Sequence, residues 1–242
     1  MSPHPAFSQT GHRPWPLPKR PWLLQQIWHD LLFLHWEIDV TALRPTIPAN
    51  LEIDTYDGRA WLAVVPFSMK GVAPRGFPKP RSFCDFPEIN VRTYVIKDGK
   101  PGVWFFSLDV PHRLPVWIAR AFFHLPYFLA DMDVQNANGQ TRYRSTRNDR
   151  AFSATYHPLD TGTASPGSFE HWATERYCFY AQSGAGHLYR ADVQHPKWPL
   201  QRAACEIHKN RMLDAFPIGE QHSSILFSKS LSVVAWIPQR IG

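Results

Sequence analysis

Hydrophobic and polar positions alternate along most of the chain in short runs separated by tight-turn signals, a pattern that predicts β-strands more than helices. Leu51, Ile53 and Thr55 alternate up to Tyr56-Asp57-Gly58-Arg59, and Ala60 to Met69 returns from that turn. Glu88 to Ile96 and Gly102 to Val110 flank Lys97-Asp98-Gly99-Lys100, the strongest hairpin signature present. The second arm is apolar on both faces and is expected at a sheet centre. Further strands are predicted over Tyr127 to Val134, Thr141 to Thr146, Phe152 to Tyr156, Arg176 to Gln182, Leu188 to Gln194 and Leu226 to Ile237. Trp22 to Asp39 fits either a helix, through Leu24, Ile27, Leu31 and Leu34, or a strand from about Asp30 to Ile38.

Helical patterns are few. Asp39 with the following VTALRP suits one capped helical turn. Pro115 to His124 reads as a helix with Val116, Ile118, Ala119 and Phe122 inward, stopping at Pro126. Ser168 to Thr174 suits a short one, and Gly71 to Pro87 reads as a long surface loop. The chain holds 23 prolines in 242 residues, roughly twice the usual share, which excludes a bundle of long helices. The expected fold is mainly β: an antiparallel sheet closed or half-closed into a barrel, with a few short helices at its rim. Residues 1–21 carry six prolines without periodicity and are expected to form a flexible surface lead-in. Residues 22–242 are expected to form one domain.

Charge narrows the function classes less. The balance of 26 basic and 20 acidic residues gives +6, a mild excess that favours an anionic ligand. The one basic cluster, Arg142 to Arg150, reads as a charged strand edge, with Arg142 and Arg144 on one face and Tyr143, Ser145 and Arg147 on the other. Nucleic-acid binding through it is a distant alternative. Cys84, Cys178 and Cys205 are far apart and make no paired motif, which points to a reducing, cytoplasmic setting. No stretch reads as a membrane span, no metal-ligand spacing occurs, and no phosphate loop or nucleophile elbow follows a strand. No cofactor is implied, and homo-oligomerisation stays open.

The candidate chemistry lies in FPEINVRTYV. As a strand it puts Glu88, Asn90 and Arg92 on one face and Ile89, Val91 and Thr93 on the other. Inside a barrel, that trio would form an acid/base and anion-binding cluster; on a solvent face it would be a weak surface pair. His124 and Tyr127 sit where helix passes to strand, a common place for site residues. His29 and His35, in an apolar run, read as core groups, and His195 in HPKWP belongs to a rigid turn.

The motifs LLFLHWEID, LRPTIPANLEIDTYDGRAWLAVVPFSMKGV, FPEINVRTYV, KPGVWFFSLD, ARAFFHLPYF and HPKWPL together resemble the YqjF-like bacterial family, domain of unknown function 2071. The resemblance covers about residues 22 to 238. It implies the cone-shaped β-barrel fold of acetoacetate decarboxylase, around a buried pocket. It also implies that Arg120 and Pro126 match the decarboxylase's catalytic stretch, while Tyr127 takes the place of its lysine. Glu88 would match the active-site glutamate, and His29 falls near the pocket arginine. A phenol cannot form the imine that accepts electrons as carbon dioxide leaves. Among eight lysines, Lys229 is the one whose neighbours, ILFSKSL, suggest a desolvated amine.

The expected protein therefore binds a small, anionic molecule inside a barrel, with Glu88 and Tyr127 as catalytic groups and Asn90, Arg92, His124 and His29 as binding groups. It would act on a keto acid or related carboxylate as a lyase or isomerase, or bind its ligand without turnover.

Overall fold

A computed structural model of the chain describes residues 4–80, 84–161, 165–219 and 222–242. Fourteen strands among these residues join one continuous sheet. β1 (Leu24–Ile38), β3 (Ala60–Pro74), β4 (Phe86–Lys97), β5 (Lys100–Val110), β10 (Cys178–Gln182), β11 (Leu188–Gln194) and β13 (Ser224–Ala235) follow one another as neighbours. Pairing of Val193 with Ala235 and Gln194 with Val234 closes these seven into a ring. The pairings are antiparallel except that β5 takes β10 and β6 (Tyr127–Leu129) in parallel along one edge. That departs from an all-antiparallel barrel. From β13 the sheet continues through β12 (Leu200–Asn210), β9 (Arg150–Thr161) and β8 (Gln140–Arg147) to β7 (Asp131–Ala137).

This four-strand extension covers part of the ring's outer face, so the ring strands are buried on both sides. Leu32, Leu34, Leu62, Val64, Ile89 and Val91 point outward into a core shared with Tyr143, Phe152 and Tyr156 of the extension. Leu31, Phe33, Ala63, Val65, Phe67 and Leu108 point inward to a second core. Period-two alternation thus supplies both cores from the same strands.

The Trp22–Asp39 ambiguity resolves as strand β1, bent at Asp30, which has φ 52° and sits where the pairing with β3 slips. A bulge of this kind shifts the inward set from Trp28 to Leu31 and mixes the helix-like and strand-like spacings. At the predicted Asp98-Gly99 turn both residues have positive φ, as a two-residue hairpin of this hand requires. The expected loop from Gly71 is shorter, because β3 runs to Pro74 and β4 begins at Phe86; residues 81–83 of it lie outside the described residues. β12 was not legible in the sequence, since most of its positions are only half-buried or exposed and carry no clear apolar alternation.

Among the described residues, three short α-helices sit at the ends of strands: α1 (Val40–Leu43), α2 (Arg113–Ile118) and α3 (Phe169–Thr174). α3 is capped by Ser168, whose hydroxyl accepts from the His171 N–H at 3.3 Å. The predicted Pro115–His124 helix holds its α geometry only to Ile118 and then widens into a π-turn, Ala119–Phe123. The extra residue in that turn rotates the apolar face. Ile118 and Phe122 are consequently exposed rather than inward, with Phe123 buried instead.

Residues 4–21, expected to be a flexible lead-in, lie against the ring. Ala6 is fully buried beside Val234 and Trp236. The Arg13 guanidinium donates to the Val193 carbonyl and pairs with Asp192 at 2.9 Å. Gln194 donates to the Ala6 and Gln9 carbonyls at 3.1 and 3.0 Å. This segment crosses the two-residue seam that closes the ring, which explains why a proline-rich stretch is ordered here. No helix among the described residues is long and apolar enough to cross a membrane.

Candidate functional site

The inward face of β4 carries Glu88, Asn90, Arg92 and Tyr94 in succession. Glu88 is 1% exposed and Arg92 9%. Their positions follow from cross-strand rows. Ser224 of β13 pairs with His35 of β1, His35 with Ala63 of β3, Ala63 with Arg92, and Arg92 with Phe105 of β5. Ala63 is the small residue between a histidine and an arginine, so the two long side chains extend past it from either side. Two residues along, Val65 lies opposite Asn90, and two further, Phe67 lies opposite Glu88.

Tyr127 reaches the same interior from β6. His124 adopts a left-handed conformation, φ 55°, that ends the π-turn. The Arg120 Nε then donates to the Tyr127 carbonyl at 2.6 Å, and Pro126 accepts from the Leu108 N–H at 3.0 Å. These bonds seat Tyr127 beside Leu108. Its hydroxyl donates to Glu88 Oε2 at 2.7 Å. Burial pushes the Glu88 carboxyl up to about 8, against the opposing hydrogen bonds from Tyr127 and Asn90 and with a contribution from Asp109. An acid with that value can both give and accept a proton near neutral pH. Burial and the neighbouring Glu88 hold the Tyr127 phenol far above its usual range, so it stays a donor.

Arg92 has no ion-pair partner among the described residues. Its guanidinium carbon sits 5.2 Å from the Phe33 ring centre and 5.9 Å from that of Tyr94. Its Nε finds no acceptor, and neither does the Asn90 Oδ1 find a donor. His35 Nε2 shares a 2.7 Å hydrogen bond with the Tyr94 hydroxyl, while Nδ1 is unpaired. Burial, reinforced by the Arg92 charge, lowers His35 to about 3, which keeps the imidazole neutral. Phe169 of α3 packs against His35 at 5.0 Å and against Trp61 at 4.2 Å, closing this end of the ring.

Of the sequence-predicted site residues, Glu88, Asn90, Arg92 and Tyr127 come together. His124 is half-buried at the rim, its ring tilted against that of Tyr189 at 4.4 Å. His29 does not join them: it pairs with Ser68 and Ser230, on the face opposite Trp28, and its neighbouring charges are Asp30, Lys70, Lys229 and Asp85. Lys229 is not desolvated. Its side chain is 70% exposed and its ammonium pairs with Asp30 at 2.6 Å, which the β1–β13 register brings opposite it. None of the eight lysines is buried.

His35 and Tyr94 were missed. Tyr94 was legible, being the next residue on the Glu88–Asn90–Arg92 face. His35 required the bulge at Asp30 to be placed correctly. The Arg142–Arg150 cluster splits as the alternation predicts, with Tyr143 and Ser145 buried. Its members are partly spoken for: Arg144 pairs with Asp131 at 2.9 Å and Arg147 with the buried Asp109 at 3.0 Å. Two surface concavities lie away from the interior cluster. One, of about 440 Å³, is lined by Trp117, Arg120 and Leu129, and the other, of about 490 Å³, by polar residues of β7, β8, β9 and β12. Among the described residues no three metal-ligating side chains converge.

Comparison with known proteins agrees with this architecture. The structure is similar to the enduracididine biosynthesis enzyme MppR complexed with pyruvate, with a TM-score of 0.67, 11% identity, and coverage of 92% of this chain and 91% of that one. It is also similar to acetoacetate decarboxylase from Legionella pneumophila, with a TM-score of 0.63 at 14% identity over 100% and 97% of the two chains. At such identities the likeness establishes the acetoacetate-decarboxylase-like fold. In sequence, the chain is 43% identical over 221 residues to the uncharacterized protein YqjF of Bacillus subtilis (strain 168), covering 89% of this chain and 91% of that protein. Residues 25–232 match the model of DUF2071, described as an uncharacterized conserved protein. The chain therefore belongs to the DUF2071 family, built on the acetoacetate-decarboxylase-like fold.

Proposed function

We propose that the ring interior binds a small carboxylate of the keto-acid class and exchanges a proton with it, without forming an imine. The observation that carries this reading is Arg92: a buried guanidinium with no protein carboxylate beside it, on the same strand face as a carboxyl whose pKa lies near 8. A buried cation left uncompensated is costly, and a ligand carboxylate or enolate oxygen would satisfy it with charge-assisted hydrogen bonds. Glu88, ionised in part at neutral pH, takes a proton from the carbon next to the keto group. The electron pair moves onto the carbonyl oxygen, giving an enolate that Arg92 stabilises. Reprotonation from Glu88 completes an exchange. Tyr127 keeps the carboxyl oriented through its hydrogen bond.

The fold's pyruvate-bound relative supports a keto acid as the first class to test. The absence of any buried lysine favours chemistry through acid and base alone, and equally a module that binds without turnover. Proton NMR of pyruvate in deuterated buffer separates these. Loss of the methyl signal with wild-type protein but not with Glu88→Gln supports proton transfer. Stabilisation by pyruvate in a thermal melt with no exchange supports binding alone. No stabilisation and no exchange with any keto acid removes the proposal.

A further inference from the structure

The interior has a second set of unsatisfied groups, on the wall facing β4. Trp198, 6% exposed, precedes β12 and packs edge-on against Phe33 at 5.2 Å and stacks on Trp28 at 5.7 Å. Its indole N–H finds no acceptor among the described residues, and the Trp28 N–H finds none either. Ser228 of β13 is fully buried and pairs with Leu31 and Leu200, both inward-facing, and its hydroxyl is also unpaired. Three unpaired donors therefore lie along this wall, two of them on a stacked indole pair whose Trp198 member packs against Phe33. The Phe33 ring is the common neighbour, with the Arg92 guanidinium carbon and the Trp198 ring centre each 5.2 Å from its centre.

Unpaired buried donors are costly, so a group of them marks a place where an acceptor belongs. Three side-chain donors without an acceptor select oxygen rather than an amine. We infer that the ligand is an extended acid with two acceptor-bearing ends: one carboxylate on Arg92, an apolar middle across Phe33, and a second carboxylate or carbonyl on the N–H and O–H groups of Trp198, Trp28 and Ser228. This rests on the interior-anion reading and adds the substrate's length and its second functional group.

The test compares two keto acids of equal chain length, 2-oxoglutarate and 2-oxopentanoate, by calorimetric titration of the full chain. 2-Oxoglutarate binds roughly tenfold or more tightly. Ser228→Ala and Trp198→Phe each shrink the ratio of the two affinities, and a melting curve confirms that each variant folds. Because Ser228→Ala removes one oxygen only, it carries the test if Trp198→Phe is poorly folded. Equal binding of the two acids, or a preference that survives both substitutions, overturns the inference while leaving the Arg92 site intact. Binding of neither acid removes the interior-anion reading and the inference together.

Discussion

Tyr127 donates to Glu88 across 2.7 Å, joining a residue of the short strand β6 to one on β4, both inside the ring. Tyr127→Phe leaves Glu88 Oε2 without its donor in a dry surrounding. The expected cost is about 1–3 kcal/mol of stability, read from denaturant unfolding. Because that hydrogen bond pulls the Glu88 pKa down, the variant's Glu88 titrates at higher pH than the wild type's, which difference infrared spectroscopy of the carboxyl band can follow.

Glu88 also sets a pH dependence of opposite sign to a paired carboxylate. Its folded pKa, about 8, is raised above the ordinary 4.5, so the folded protein holds a proton that the unfolded chain has released. Stability is full below about 4.5 and falls as pH rises towards 8, by at most about 1.4 kcal/mol per pH unit. Glu88→Gln, which mimics the protonated form, flattens this limb. Unfolding curves at pH 5 and pH 8 for the two proteins measure it, and a wild-type protein more stable at pH 8 than at pH 5 relative to the variant contradicts it.

His35 works on the acid side. Its folded pKa of about 3 lies below the ordinary 6.5, so the unfolded chain takes up a proton that the folded state refuses. The stability it contributes is present above 6.5 and is lost as pH falls towards 3. His35→Gln reduces that acid loss, as acid titration followed by circular dichroism can record.

How much of this was legible from residues depends on whether one strand or several had to be placed. The grouping of Glu88, Asn90 and Arg92 needed only period two along β4. The partnership of Arg92 with His35 through Ala63 needed the register of three strands and the bulge at Asp30, which no local pattern fixes. Lys229 misled for a related reason, since apolar neighbours in sequence do not tell which cross-strand partner a side chain meets, here Asp30 of β1. The N-terminal segment escaped because its order comes from distant partners. Arg13 is held by Asp192 and Val193, far along the chain, within a stretch whose local sequence carries no strand or helix periodicity.

That segment gives a further expectation. Arg13→Ala leaves Asp192 buried, with Arg190 at 3.7 Å as its remaining cation, and loosens the strap across the β11–β13 seam. A loss of about 3 kcal/mol is expected, measured by chemical denaturation. A change below about 0.5 kcal/mol would show that the strap does not hold the ring.

Borohydride reduction in the presence of pyruvate is expected to leave all eight lysines unmodified, because none is buried or desolvated. Intact mass spectrometry after the reaction checks this, and a stoichiometric adduct on any lysine would restore imine chemistry.

The central claim is that Arg92 waits inside the ring for a carboxylate. Calorimetric titration of pyruvate and 2-oxoglutarate into the wild-type protein and into Arg92→Gln tests it most directly. Saturable binding to the wild type that weakens at least a hundredfold in the variant is the predicted result, whereas equal affinity in both proteins would contradict it.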